Sequence, residues 1–148
     1  MYRKILVPLD GSVLAECSLA HVKEVVKGSQ TTAVVLIAVI SSYHDYEEMG
    51  KETKNIMERS ALDKARDYLS KIASDLHKDG INASTFVTKG PPAEKILDYA
   101  KNSGVDLVIL STHGSSGISR WLTGGVAERI IHNSTVPVLV VAPQGSRT

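Results

Sequence analysis

Cysteine is nearly absent: Cys17 is the only one in 148 residues, so no disulfide can form within the chain. Its place in an apolar helical pattern reads as packing rather than reactivity. Excess charge is also absent. Lys and Arg number 17 against 16 Asp and Glu, for a formal net charge of +1, and no long basic run stands out. The electrostatic footprint of a nucleic-acid or anionic-membrane binder is therefore missing, and neither partner is expected. No apolar run approaches the roughly 20 residues needed to span a bilayer. The opening run Lys4-Ile5-Leu6-Val7-Pro8-Leu9 is too short for the apolar core of a signal peptide and carries no small-residue cleavage site, which predicts a cytoplasmic protein.

Several catalytic signatures are missing as well. There is no Gly-x-x-x-x-Gly-Lys-Ser/Thr, which argues against a P-loop NTPase, and no Gly-x-Gly-x-x-Gly after the first strand, which argues against a standard dinucleotide site. Gly-x-Ser-x-Gly is absent, against an α/β-hydrolase. The five histidines, His21, His44, His77, His113 and His132, show no metal-ligand spacing.

What is present is an alternation of strand and helix patterns in a chain that is 43% hydrophobic and long enough for one domain, residues 1–148, with a full core. Lys4 to Leu9 reads as a first strand, ending in the turn Asp10-Gly11-Ser12. Leu14 to Val26 has helical spacing and stops at Gly28. Ala33 to Ile40 is almost wholly apolar, as suits a strand buried on both faces. Ser41 to about Lys54 lacks periodicity and reads as an exposed loop. A long helix over Ile56 to Leu76 stops at Asp79-Gly80. Strand Asn82 to Thr88, the break Gly90-Pro91-Pro92 and helix Ala93 to Lys101 follow. Strand Val105 to Leu110, helix Val126 to His132 and strand Val136 to Val141 complete the pattern. This order predicts a doubly wound, five-stranded parallel sheet with helices on both faces, of Rossmann or flavodoxin-like type.

The site is expected where two features converge. The fourth strand runs into Ser111-Thr112-His113-Gly114-Ser115-Ser116-Gly117, and Gly124-Gly125 then opens a helix. Short side chains let backbone N–H groups reach a phosphate at the positive end of that helix, which suggests a nucleotide. Asp10 follows the first strand, and in a doubly wound sheet ligands sit beyond the carboxyl ends of strands where their order reverses. A carboxylate there can accept from ribose hydroxyls or help hold a phosphate-bound Mg²⁺. The plainer reading is a cap on the first helix, a role Ser12 can share. His113 has two readings, a ligand contact or a turn-fixing residue, and the glycines can serve turn geometry alone. The last strand, apolar and interrupted by Pro137, reads as an edge that needs cover; a homodimer through Val136 to Val141 is the simplest cover, favoured over a folded-back tail because Ala142 to Thr148 is short and polar.

Four stretches together resemble the universal stress proteins: Ile5-Leu6-Val7-Pro8-Leu9-Asp10-Gly11-Ser12, Ser111-Thr112-His113-Gly114, Gly124-Gly125-Val126-Ala127-Glu128-Arg129 and Val136-Pro137-Val138-Leu139-Val140-Val141. The resemblance covers nearly the whole chain. It implies a domain that dimerises through its last strand and, in one branch, binds ATP by a pattern of Gly, two residues, Gly, nine residues, Gly, then Ser or Thr. Gly114 and Gly124 match the second and third positions; Ser111 and Gly125 depart from the first and last. Ser111 adds a Cβ, whereas Gly125 removes a hydroxyl but keeps its N–H, and Ser115 and Ser116 offer replacement hydroxyls. The resemblance also implies that the backbone of Val39 meets adenine, with Leu110 lining the same slot. The expected nucleotide-binding residues are thus Pro8, Leu9, Asp10, Val39, Leu110, Ser111, His113, Gly114, Ser115, Gly117, Gly124, Gly125 and Val126.

Three functions fit this reading. The first is a small dimeric stress-response or regulatory protein that binds ATP or AMP, with Mg²⁺ as a companion of the phosphates and at most slow hydrolysis, since no dedicated catalytic base stands out. The second is a nucleotide-free interaction module of the same fold. The third is an enzyme acting on a phosphorylated small molecule in the same crevice.

Overall fold

Val, Ile and Leu fill the first, second and fourth strand segments so densely that both faces of the sheet's centre have to be covered. A computed structural model describes residues 2–29, 32–40, 50–112 and 125–142. In it β1 (Lys4–Pro8), β2 (Ala33–Ile40), β3 (Asn82–Lys89), β4 (Leu107–Ser111) and β5 (Val138–Val141) form one sheet in the order β3-β2-β1-β4-β5. Every pairing is parallel. The helices are α1 (Val13–Glu16), α2 (Ser18–Val26), α3 (Lys51–Lys78), α4 (Pro92–Asn102) and α5 (Val126–Asn133). The chain winds from β1 outward to β3, then crosses back to β4 and on to β5. Right-handed crossovers therefore put α2 and α3 on one face, and α4 on the other, where it packs beside α5. This is the doubly wound α/β architecture expected from the sequence.

The reversal of winding falls between β1 and β4, and that junction has its own fastening. Two residue pairs are in register, Ile5 with Leu107 and Leu6 with Val108. The Asp106 carboxylate adds to them, accepting from the Arg3 N–H at 2.8 Å and from the Lys4 N–H at 3.0 Å. The Asp106 N–H in turn donates to the Lys4 carbonyl at 3.0 Å. The Lys4 ammonium donates to the Ser103 carbonyl at 2.7 Å and lies 5.5 Å from the centre of the Tyr99 ring.

Several boundaries differ from the periodicity reading by a residue or two, β4 for instance beginning at Leu107 rather than Val105, and three differences have a local reason. The first helix is two pieces rather than one: the Ser18 hydroxyl donates to the Ala15 carbonyl at 2.9 Å, a local bond that competes with the helical ladder at Cys17. Helix α3 begins at Lys51, inside the stretch expected to be loop. Its first turn, Lys51-Glu52-Thr53-Lys54-Asn55, buries no face and so gives no apolar signal. Its end was legible. Gly80 adopts φ 78°, its N–H donates to His77 and that of Ile81 to Leu76, the Schellman pattern that glycine permits. Finally, β5 starts at Val138 rather than Val136. Pro137 brings no N–H to a ladder, although its carbonyl accepts from the Val108 N–H at 3.0 Å.

Replacing Asp106 with Ala removes two acceptors from backbone donors at the sheet's midline. The expected cost is about 2 kcal/mol of unfolding free energy, measurable as a lower urea midpoint with an unchanged denaturant slope.

Candidate functional site

Beyond the ends of β1 and β2 the chain leaves a cavity of about 760 Å³, within the range of small-molecule sites. Its floor is Leu9, Asp10 and Gly11 after β1 together with Ala38, Val39 and Ile40 of β2. Its wall is the first half of α3, through Ile56, Met57, Ser60, Ala61, Lys64, Ala65 and Tyr68.

The ladder dictates what the floor presents. In a parallel strand the N–H and C=O of one residue point to the same neighbour, and successive residues alternate sides. The Ile37 carbonyl accepts from the Leu9 N–H at 2.9 Å, on the β1 side, and the Ile40 carbonyl accepts from the Gly90 N–H at 3.0 Å, on the β3 side. Val39 therefore turns its N–H and C=O toward β1. The last register pair there is Pro8 with Ile37, whereas β3 continues to Lys89 opposite Ile40. The backbone donor and acceptor of Val39 thus face the space beyond the end of β1, which is the cavity.

Asp10 is 6% exposed and organises the turn that opens α1. Its Oδ1 accepts from the Ser12 N–H at 2.9 Å and from the Ser12 hydroxyl. The Ser12 Oγ accepts from the Ala15 N–H at 3.2 Å, so Ser12 occupies the capping position and Asp10 steadies it. The capping role considered for Asp10 is thus divided between the two residues, and Asp10 also lines the cavity. Among the described residues no group of three or more His, Cys, Asp or Glu is arranged to hold a metal ion. Among the described residues that line the cavity, Asp10 is the one carboxylate.

Of the residues expected at the site, Leu9, Asp10 and Val39 meet at the cavity. Pro8 and Leu110 lie in β1 and β4, Leu110 fully buried in the core, and neither belongs to the cavity lining. Ser111 closes β4 and is also fully buried. Its extra Cβ, relative to a glycine, is accommodated within the packed interior. Gly125 precedes α5 with φ 92°, a backbone region that L side chains enter only under strain, and Val126 is the first residue of the helix. The glycine at 125 therefore has a conformational reason where the motif has Ser or Thr. His113, Gly114, Ser115, Gly117 and Gly124 lie outside the described residues.

Sequence reasoning missed the α3 wall. Ala61 and Ala65, and likewise Ser60 and Lys64, stand at helical i, i+4 spacing. Small residues beside a polar stripe on an otherwise amphipathic helix were the available sign. The wall they form is tied to the end of β3 by an ion pair, Glu58 to Lys89 at 3.1 Å.

Known proteins share this fold. The family model described as "Universal stress protein family" matches residues 1–142. Universal stress protein MJ0577 of Methanocaldococcus jannaschii is 31% identical over 164 aligned residues, covering 99% of this chain and 98% of that one. The solved structure of MJ0577 superposes with a TM-score of 0.83 at 33% identity, covering 98% of this chain and 99% of the other. A universal stress protein family protein from Arabidopsis thaliana, solved with AMP bound, shares the fold with a TM-score of 0.70 at 17% identity, covering 98% and 94%.

An added Cβ at position 125 meets nothing within 4 Å, so Gly125→Ser brings torsional strain without a clash. The expected loss is about 1 kcal/mol, read as a lowered midpoint in chemical denaturation.

Proposed function

The chain belongs to the universal stress protein family, and from that premise we propose that it is a dimeric regulatory protein that binds ATP or AMP at the ends of β1 and β4. The supporting observation is the cavity floor: a backbone donor and acceptor at Val39, an apolar surround, and a buried carboxylate at Asp10. Adenine offers an amino donor beside a ring-nitrogen acceptor on one edge, the complement of an N–H and C=O from one residue. The ribose then falls toward Asp10, whose carboxylate accepts from hydroxyls. The phosphates run to the other side of β1, toward the glycine-rich segment that follows β4 and the α5 N-terminus opened by Gly125, where amides and helix dipole favour an anion. AMP in the Arabidopsis relative supports the same class of ligand. Mg²⁺ accompanies the phosphates when ATP is the ligand.

The dimer reading rests on the sheet edge. β5 is the terminal strand on one side, and its Leu139 and Val140 are 37% and 39% exposed. An apolar edge strand with open backbone groups is an association surface unless covered, and a second copy covers it symmetrically. Among the described residues no helix is long and apolar enough to cross a membrane. A cytoplasmic setting and the absence of nucleic-acid and membrane partners remain parts of the proposal.

Calorimetry with AMP and Mg-ATP tests the ligand. Gly114→Val, which places a branched side chain in the glycine loop, is expected to abolish nucleotide affinity while thermal unfolding stays cooperative; unchanged affinity argues against that loop. No binding by the unaltered chain favours the nucleotide-free interaction module, and sustained phosphate release over hours favours an enzyme. For the dimer, Leu139→Lys is expected to shift sedimentation at micromolar concentration from dimer to monomer, and a monomeric unaltered chain refutes the edge-strand interface.

A further inference from the structure

The wall of the cavity is built differently from its floor, and the difference points to how a base is read. Ser60 and Lys64 stand one turn apart on α3 and are both exposed, with Ala61 and Ala65 beside them on the same helix. The two alanines keep the wall shallow, leaving depth for a flat ring against the apolar ends of β2. The two polar side chains then border the ring's plane. Among the described residues that line the cavity, Lys64 carries the one cationic side chain. Its ammonium carries three donors and no acceptor on a long flexible stem, while the Ser60 hydroxyl can donate or accept.

Topology separates this pair from the phosphate end. α3 packs on β2 and β3, whereas β4, the strand that leads into the glycine-rich sequence, lies on the opposite side of β1. A ligand laid across the strand ends with its phosphates at that segment turns its base, not its anionic tail, toward Lys64. Val39 engages one edge of the base, leaving the edges that carry the other ring-nitrogen acceptors for α3. We propose that Lys64, assisted by Ser60, is a specificity-determining residue that donates to a ring nitrogen of the purine on an edge Val39 does not use. This inference rests on the nucleotide reading given above and adds the group that selects for the base.

The test is calorimetry on the full chain with AMP and with its 3-deaza and 7-deaza analogues, each lacking one ring-nitrogen acceptor. The unaltered protein is expected to bind AMP about tenfold more tightly than the analogue missing the contacted nitrogen, as befits one charge-assisted hydrogen bond. Lys64→Met is expected to bind AMP at that weaker level and to lose the discrimination, and Lys64→Arg to restore most of it. Lys64 is exposed, so the thermal midpoint of Lys64→Met should match that of the unaltered chain. Discrimination that survives in Lys64→Met, or AMP affinity that does not change, overturns the role of Lys64 while leaving the nucleotide reading intact. Equal binding of AMP and both analogues by the unaltered chain does the same. Failure of the unaltered chain to bind any of the three removes the nucleotide reading itself, and this inference with it.

Discussion

The junction of β1 with β4 carries the architecture. Winding reverses there, and at such a point a doubly wound sheet opens a crevice beyond the carboxyl ends of its strands. The pairing is short, with two residues in register. The Asp106 carboxylate, holding the backbone N–H groups of Arg3 and Lys4, extends the seam at the end of the strands farthest from the cavity. Strong fastening at the amino ends frees the carboxyl ends to part, and Asp10 and the last residue of β4, Ser111, lie at the parted side.

The early end of β1 matters equally. β1 stops at Pro8 while β2 continues to Ile40, and this stagger exposes one donor and one acceptor of Val39 to the cavity. A longer first strand would consume both in the ladder. The conformation after β1 is enforced by the Asp10–Ser12–Ala15 relay, which turns the chain into α1 at once. The same carboxylate that starts the helix therefore also clears the space beside β2.

Much of this could be read from the residues because burial leaves a periodic trace. The apolar density of Ala33 to Ile40 announced a strand covered on both sides, and Asp79-Gly80 announced the end of α3. The break at Cys17 was invisible because a single Ser18 hydroxyl bond to Ala15 leaves the apolar spacing intact. The start of α3 at Lys51 was hidden for the converse reason, since a turn exposed on all sides has no spacing to detect. At the site, Asp10 and Val39 stood out by position at strand ends. The wall residues did not, because Ala61 and Ala65 serve a cavity by being small, and small residues on a helix look the same whether they make room for a ligand or for another helix.

The buried residues of α3 are Leu69, Ile72, Ala73 and Leu76, all in its final third. Mechanically the helix is a beam clamped at one end, with its free arm roofing the crevice and the Glu58–Lys89 pair acting as a stay near the tip. Such a beam deflects least at its root and most at its tip, so the height of the cavity under Ile56 and Met57 yields more readily than the distance between Asp10 and Val39.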